Sequence, residues 1–123
     1  MTNKITEVNH LLDHIITGIE DVKGVDIKKL DLRKIDNTPC DFFIICTGNS
    51  NTQVTAIVSS IQKTVSKALH EKPFHIEGQE VAEWVLIDYI DIVVHVFQRQ
   101  TREYYNIEEL WGDAISTPIA SNY

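Results

Sequence analysis

Ile5, Val8, Leu12, Ile15, Ile19 and Val22 recur at alternating spacings of three and four residues. Such spacing lays one apolar stripe along a first helix, and Gly24 is placed to end it. From Asp26 to Ile35 the aliphatic residues Ile27, Leu30, Leu32 and Ile35 alternate irregularly with Lys28, Lys29, Arg33 and Lys34. That mixture predicts a half-exposed strand suited to a sheet edge, and Asn37-Thr38-Pro39 predicts the turn after it.

Phe42-Phe43-Ile44-Ile45-Cys46 has no polar alternation, so both faces of this strand must be covered, as at the centre of a mixed or parallel sheet. It closes at Thr47-Gly48-Asn49-Ser50. Ser50 followed three residues later by Gln53 forms a capping-box pattern that opens a second helix, with Val54, Ile57, Val58, Ile61, Val65, Ala68 and Leu69 on one face and Pro73 to stop it. Phe74-His75-Ile76-Glu77 is a short strand closing at Gly78. The runs Trp84 to Tyr89 and Ile92 to Phe97 are rich in β-formers, and only Ile90-Asp91 separates them, so they pair as an antiparallel hairpin. From Gln98 to Gly112 the period returns to helical, with Tyr104, Tyr105, Ile107, Leu110 and Trp111 apolar. The expected architecture is α/β: one domain over residues 1–115, a mixed sheet of about five strands flanked by helices, and a loosely held, flexible tail over 116–123.

Composition narrows the function classes. A chain of 123 residues buries roughly two-thirds of the surface its unfolded form exposes, enough for a core without metals or disulfides. The formal net charge is −7. A protein that bound by neutralising phosphates would need a basic surface, so little direct nucleic-acid binding is expected, and an acidic surface suits a basic protein partner instead. Cys40 and Cys46 lie too far apart along one strand to bridge, and unpaired thiols suit a reducing compartment. No signal-like or membrane-spanning run is present. The expectation is a cytoplasmic protein without a membrane partner.

Candidate chemistry is sparse. The loop Thr47-Gly48-Asn49-Ser50 lies between a strand and a helix, where backbone N–H groups can cradle a phosphate, but it lacks a Walker lysine, and the capping box accounts for Ser50 without a ligand. Asp88 and Asp91 bracket a turn and can be imagined holding magnesium for nucleotidyl transfer with Ser50. Their Asp-x-x-Asp spacing, however, does not put both on one strand face. His10 and His14 share a helix face without a third ligand, on the solvent side. His95, inside a β run, reads as packed, and His70 and His75 flank Pro73 at a turn. No cofactor or metal site follows, and no nucleophile stands in a recognisable setting. Along the next strand Trp84, Leu86 and Asp88 face one way and Val85, Ile87 and Tyr89 the other. An aromatic anchor beside a carboxylate is the chemistry of a protein-binding hot spot. The pattern leaves open whether Trp84 faces a partner or packs under the second helix.

Three blocks together resemble the Iojap-related ribosomal silencing factor family. These are Asp41 to Ser50, Glu77-Gly78 with Trp84 to Phe97, and Arg102 to Ala114, with order and spacing agreeing from about Thr6 to Ala114. One departure is Ile90, where the family usually has Gly. A turn requiring positive φ there would strain a β-branched residue. The resemblance implies a nucleotidyltransferase-like fold without catalytic residues, hence no enzyme. It implies docking on the large ribosomal subunit, against its fourteenth protein at the intersubunit face, so that small-subunit joining is blocked and translation falls when nutrients are limiting. It also implies self-association when free, as a homodimer. Carried onto this chain, the partner-binding surface comprises Glu77, Gly78, Trp84, Leu86, Asp88, Tyr89 and Asp91. Arg102, Tyr104 and Trp111, in the closing block, are expected mainly to hold the C-terminal helices. The alternatives are a metal-dependent nucleotidyltransferase and a homodimeric scaffold with no ribosomal role.

Overall fold

The computed structural model describes residues 4–121. Its elements are α1 (Lys4–Asp21), β1 (Val25–Asp31), β2 (Phe42–Gly48), α2 (Asn51–Leu69), β3 (His75–Glu77), β4 (Trp84–Asp88), β5 (Ile92–Gln98), α3 (Arg99–Tyr105), α4 (Ile107–Leu110) and β6 (Ile115–Pro118). The six strands form one mixed sheet in the order β3-β4-β5-β2-β1-β6. β2 and β5 run parallel, and the other neighbours pair antiparallel. β2 is buried at every position, which its unbroken apolar run requires of a central strand.

The two long helices cover one face. Val8, Leu12, Ile15 and Ile19 of α1 and Val54, Ile57, Ile61 and Val65 of α2 pack on inward residues of the sheet, including Ile44, Val85, Ile87, Val94 and Val96. Ile5, at the head of the α1 stripe, is exposed. The helices cross closely at Gly18, where a Cβ would stand 2.8 Å from the Ile61 Cα, and the Ser60 hydroxyl donates to the Gly18 carbonyl at 2.6 Å.

Both helix ends differ in detail from the expected stops. After α1 the left-handed residue is Lys23, at φ 60. The Lys23 and Gly24 N–H groups bond the Glu20 and Ile19 carbonyls, a Schellman closure. Gly24 is needed for space, since a Cβ there would meet Ile19 Cγ2 at 2.5 Å. α2 ends at His70, which takes φ 56 and bonds back to the Ser66 carbonyl, before Pro73 is reached.

The stretch expected as a loose tail supplies a sixth strand. β6 pairs with β1 from Lys28↔Pro118 to Asp31↔Ile115. β1 is therefore not an edge. Every β6 residue is exposed, so backbone pairing rather than burial defines it, and no hydrophobic pattern announces it.

On the other sheet face Leu30, Phe43, Ile45, Val93 and Phe97 form a second cluster with Ile107 of α4, and Trp84, Leu86 and Trp111 pack at its margin. Arg102 ties α3 to the sheet end: its Nε donates to Glu108 Oε1 at 2.7 Å, and its Nη1 donates to the Asp26 carbonyl at 2.6 Å and to Thr47 Oγ1 at 2.8 Å. Burial alone would raise the Glu108 pKa, but the hydrogen bonds and charges of Arg102 and then Lys28 prevail and hold it below the ordinary value. Cys40 and Cys46 are free and buried, and burial pushes both thiols up to about 12, which makes them inert.

Candidate functional site

β4 alternates as its sequence requires. Val85 and Ile87 point into the helix-covered core, while Trp84, Leu86 and Asp88 are half-buried on the opposite face. Trp84 therefore does not lie under α2. Register brings further side chains onto its face, because directly paired residues project to the same side. Glu77 pairs with Leu86 and His75 with Asp88; Phe97 pairs with Trp84 and His95 with Leu86.

Aromatic contacts fix the tryptophan. Its ring stacks on Phe97 with centroids 4.9 Å apart and meets Tyr105 of α3 at 4.9 Å. Its indole N–H donates to His95 Nδ1 at 3.1 Å. Beyond Tyr105, Tyr104 stands at 5.0 Å, edge-on, and is exposed. His95 meets Phe43 at 4.6 Å, and Phe43 meets Trp111 at 5.5 Å. A continuous aromatic chain thus runs from the surface at Tyr104 through Trp84 to Trp111. Sequence reasoning placed Tyr105 only as an apolar helix position. Which of the two adjacent tyrosines meets Trp84 depends on how α3 lies across the sheet.

Glu77 and Asp88 share the face of this ridge, whereas Asp91, in the turn beyond it, reaches to α1. Glu77 is exposed, and its Oε1 lies 2.7 Å from His75 Nε2. Asp88 Oδ1 accepts the Ile90 N–H at 2.7 Å, so one carboxylate oxygen is committed to the turn. Asp91 Oδ1 lies 3.3 Å from Lys4 Nζ. In the turn Ile90 takes φ 75, and the Asp91 N–H bonds the Tyr89 carbonyl at 3.0 Å. This is a γ-turn of the rare positive-φ kind, with the strain that the Gly-to-Ile departure predicted. Gly78 takes φ 88 and approaches the Trp84 carbonyl so closely that a Cβ would stand 2.1 Å from its oxygen.

Tyr89 is a correction. It points into the helix-side core and is 7% exposed, because it continues the Val85-Ile87 alternation. It cannot share a contact face with Trp84. Burial, and secondarily Glu71, push its phenol up to about 12.

Ser50 does not join the aspartates. β5 runs from Val93, beside Asp88, to Gln98, beside Gly48, which separates the two ends by about 16 Å at about 3.3 Å per residue. Ser50 Oγ accepts the Gln53 N–H at 3.1 Å, and the Asn49 N–H is taken by Gln53 Oε1 at 2.6 Å. The loop caps its helix, and a nucleotidyltransferase site built from Ser50, Asp88 and Asp91 does not assemble. Among the described residues no three His, Cys, Asp or Glu side chains gather as metal ligands, and no helix is long and apolar enough to cross a membrane.

Residues 5–122 match the family model described as ribosomal silencing factor during starvation. The chain belongs to the ribosomal silencing factor family. A silencing factor from Halalkalibacterium halodurans is 43% identical over 104 residues, covering 85% of this chain and 87% of that protein. Among solved structures, one from Chromobacterium violaceum superposes with a TM-score of 0.79 at 40% identity, covering 85% of each chain. A more distant relative, the mouse protein named mitochondrial assembly of ribosomal large subunit protein 1, is 32% identical over 73 residues, covering 58% of this chain and 32% of its own length.

Proposed function

We propose that this silencing factor docks on the large ribosomal subunit through the half-exposed face of β3 and β4 and, by occupying space there, keeps the small subunit from joining. Translation is thereby lowered when nutrients are scarce. The observation that carries this reading is Trp84, held half-exposed by Phe97, Tyr105 and His95 on a face that also presents Leu86, Glu77 and Asp88. A rigid aromatic with a neighbouring acid suits a basic protein surface, since aromatic anchors supply most interface energy and complementary charge supplies orientation and speed.

The net charge of −7 and the large-subunit role in the mouse relative's name support a basic partner on the large subunit, and the partner that the family resemblance implies is the fourteenth large-subunit protein. Obstruction needs affinity and bulk, with no bond made or broken, so the protein acts without a cofactor and not as an enzyme. Glu77, Gly78, Trp84, Leu86, Asp88 and Asp91 form the proposed contact set, with Tyr105 added. In the free protein the same apolar ridge favours self-association.

Addition of the purified protein to separated subunits is expected to lower the yield of joined ribosomes in a density gradient, and the protein is expected to travel with the large subunit. Unchanged joining at saturating protein would falsify the reading. Binding that weakens steeply with salt supports the charge complementarity, whereas salt-independent binding argues for apolar contact alone.

A further inference from the structure

His95 is 4% exposed in the middle of β5. Its neighbours across the sheet are Leu86 of β4 and Ile45 of β2, and its ring meets Phe43 edge-on at 4.6 Å and Phe97 at 6.1 Å. An imidazole in so apolar a setting is a liability to the fold. Its Nε2 is buried and has no hydrogen-bond partner, and an unpaired buried polar atom destabilises. A phenyl or leucyl side chain would fill the space without that cost. Among the described residues the ring makes one hydrogen bond, from the Trp84 indole N–H to Nδ1 at 3.1 Å.

That bond supplies what the other contacts of Trp84 lack. Stacking on Phe97 and the contact with Tyr105, both at 4.9 Å between centroids, can be made by either face of the indole. Rotation about the bond to the ring has two broad, roughly opposed wells, and apolar contact distinguishes them weakly. The bond to His95 selects the one that brings Nε1 to the imidazole. An indole has a single polar hydrogen and no acceptor, so once the N–H is given to His95 none is left for a partner.

We propose that His95 is a positioning residue for docking: it selects one orientation of the Trp84 ring and turns the indole N–H inward, so that the partner meets a donor-free aromatic surface. The proposal rests on the docking reading and deepens it. The group that covers Trp84 is then apolar or cationic, of the kind an aromatic ring attracts without a hydrogen bond. It is not a carbonyl or carboxylate that takes the indole N–H.

The test separates docking from stability. His95→Phe removes the acceptor and keeps a ring, whereas His95→Asn loses the ring and keeps an acceptor, since Asn Oδ1 stands as many bonds from the backbone as Nδ1. Were His95 purely structural, docking would follow stability. The positioning role predicts the reverse. His95→Phe, at least as resistant to urea as the wild type, should sediment with large subunits about 3–10-fold more weakly, roughly the worth of one hydrogen bond. His95→Asn, less resistant to urea, should bind within about twofold of the wild type. In a Trp84→Phe background His95→Phe should weaken docking no further. The ¹⁵N indole signal that disappears in Trp84→Phe should be protected from exchange in the wild type and in His95→Asn, and shifted and unprotected in His95→Phe. Should the phenyl overfill the cluster, His95→Leu removes the acceptor with a smaller side chain. Equal docking by the wild type and His95→Phe, or an undiminished effect in the Trp84→Phe background, overturns the positioning role and leaves docking intact. If the wild type itself does not sediment, the docking reading falls and the positioning role falls with it, while the indole signal still shows whether His95 orients the ring.

Discussion

The indole N–H of Trp84 donates to Nδ1 of His95 at 3.1 Å, across the β4–β5 pair. An indole only donates, so Nδ1 must accept and the imidazole carries its proton on Nε2, a buried atom without a partner. A doubly protonated ring would have no lone pair for Trp84. The half-buried tryptophan and the buried histidine therefore hold each other in one arrangement.

Acid should weaken the fold through this ring. Burial pushes the His95 pKa down to about 4, below the unfolded value of about 6.5. The depressed pKa means that the unfolded chain takes up the proton first. The stabilisation is complete above about pH 6.5 and is lost as pH falls toward 4, in total about 3 kcal/mol. Urea titrations at a series of pH values should show this slope in the wild type and a shallower one in His95→Asn. Equal slopes would remove His95 as the cause.

Docking should separate the ring of Trp84 from its N–H. Trp84→Ala is expected to weaken large-subunit binding by about 1–3 kcal/mol. Trp84→Phe keeps an aromatic surface against Phe97 and Tyr105 and should lose less, while freeing the His95 lone pair. Sedimentation isotherms for the two variants distinguish them; unaltered affinity in Trp84→Ala would remove the residue from the interface.

Two turn positions predict changes of opposite sign. At Gly78 a side chain would face both positive φ and the Trp84 carbonyl, so Gly78→Ala should destabilise by about 2–4 kcal/mol. At Ile90 the side chain is mostly exposed and the backbone strained, so Ile90→Gly should stabilise by about 0.5–1 kcal/mol, strain relief outweighing the added freedom of the unfolded chain. Thermal or urea midpoints check both.

Arg102→Lys should be costly despite the retained charge. One flexible ammonium cannot reproduce the fork that joins Glu108, the Asp26 carbonyl and Thr47. A loss of about 2–3 kcal/mol is expected, with faster amide exchange concentrated in α3 and α4. Exchange unchanged there would contradict the anchoring role.

Where burial writes a pattern, the fold was readable. The apolar run Phe42 to Cys46 announced a central strand, the Ser50–Gln53 pair announced a helix start, and alternation along Trp84 to Asp88 divided its two faces. β6 was invisible because none of its side chains is buried, and its partner β1 was therefore mistaken for an edge. At the candidate site, Tyr89 comes in by its place in a motif although alternation sets it on the face opposite Trp84; that this is the buried face follows from where α1 and α2 pack, which alternation does not encode. Tyr105 was missed because its contact with Trp84 depends on the path of α3, which one-dimensional spacing does not encode.

The sheet divides the labour between its sides. α1 and α2 cover one side, while the Trp84 ridge occupies the other. If the ridge is the part that grips, the outward surface of the helical layer is what an arriving subunit would strike. A fluorophore or a fused domain hung from that layer should leave attachment intact and thicken the barrier, whereas the same cargo beside Trp84 should cost the grip itself.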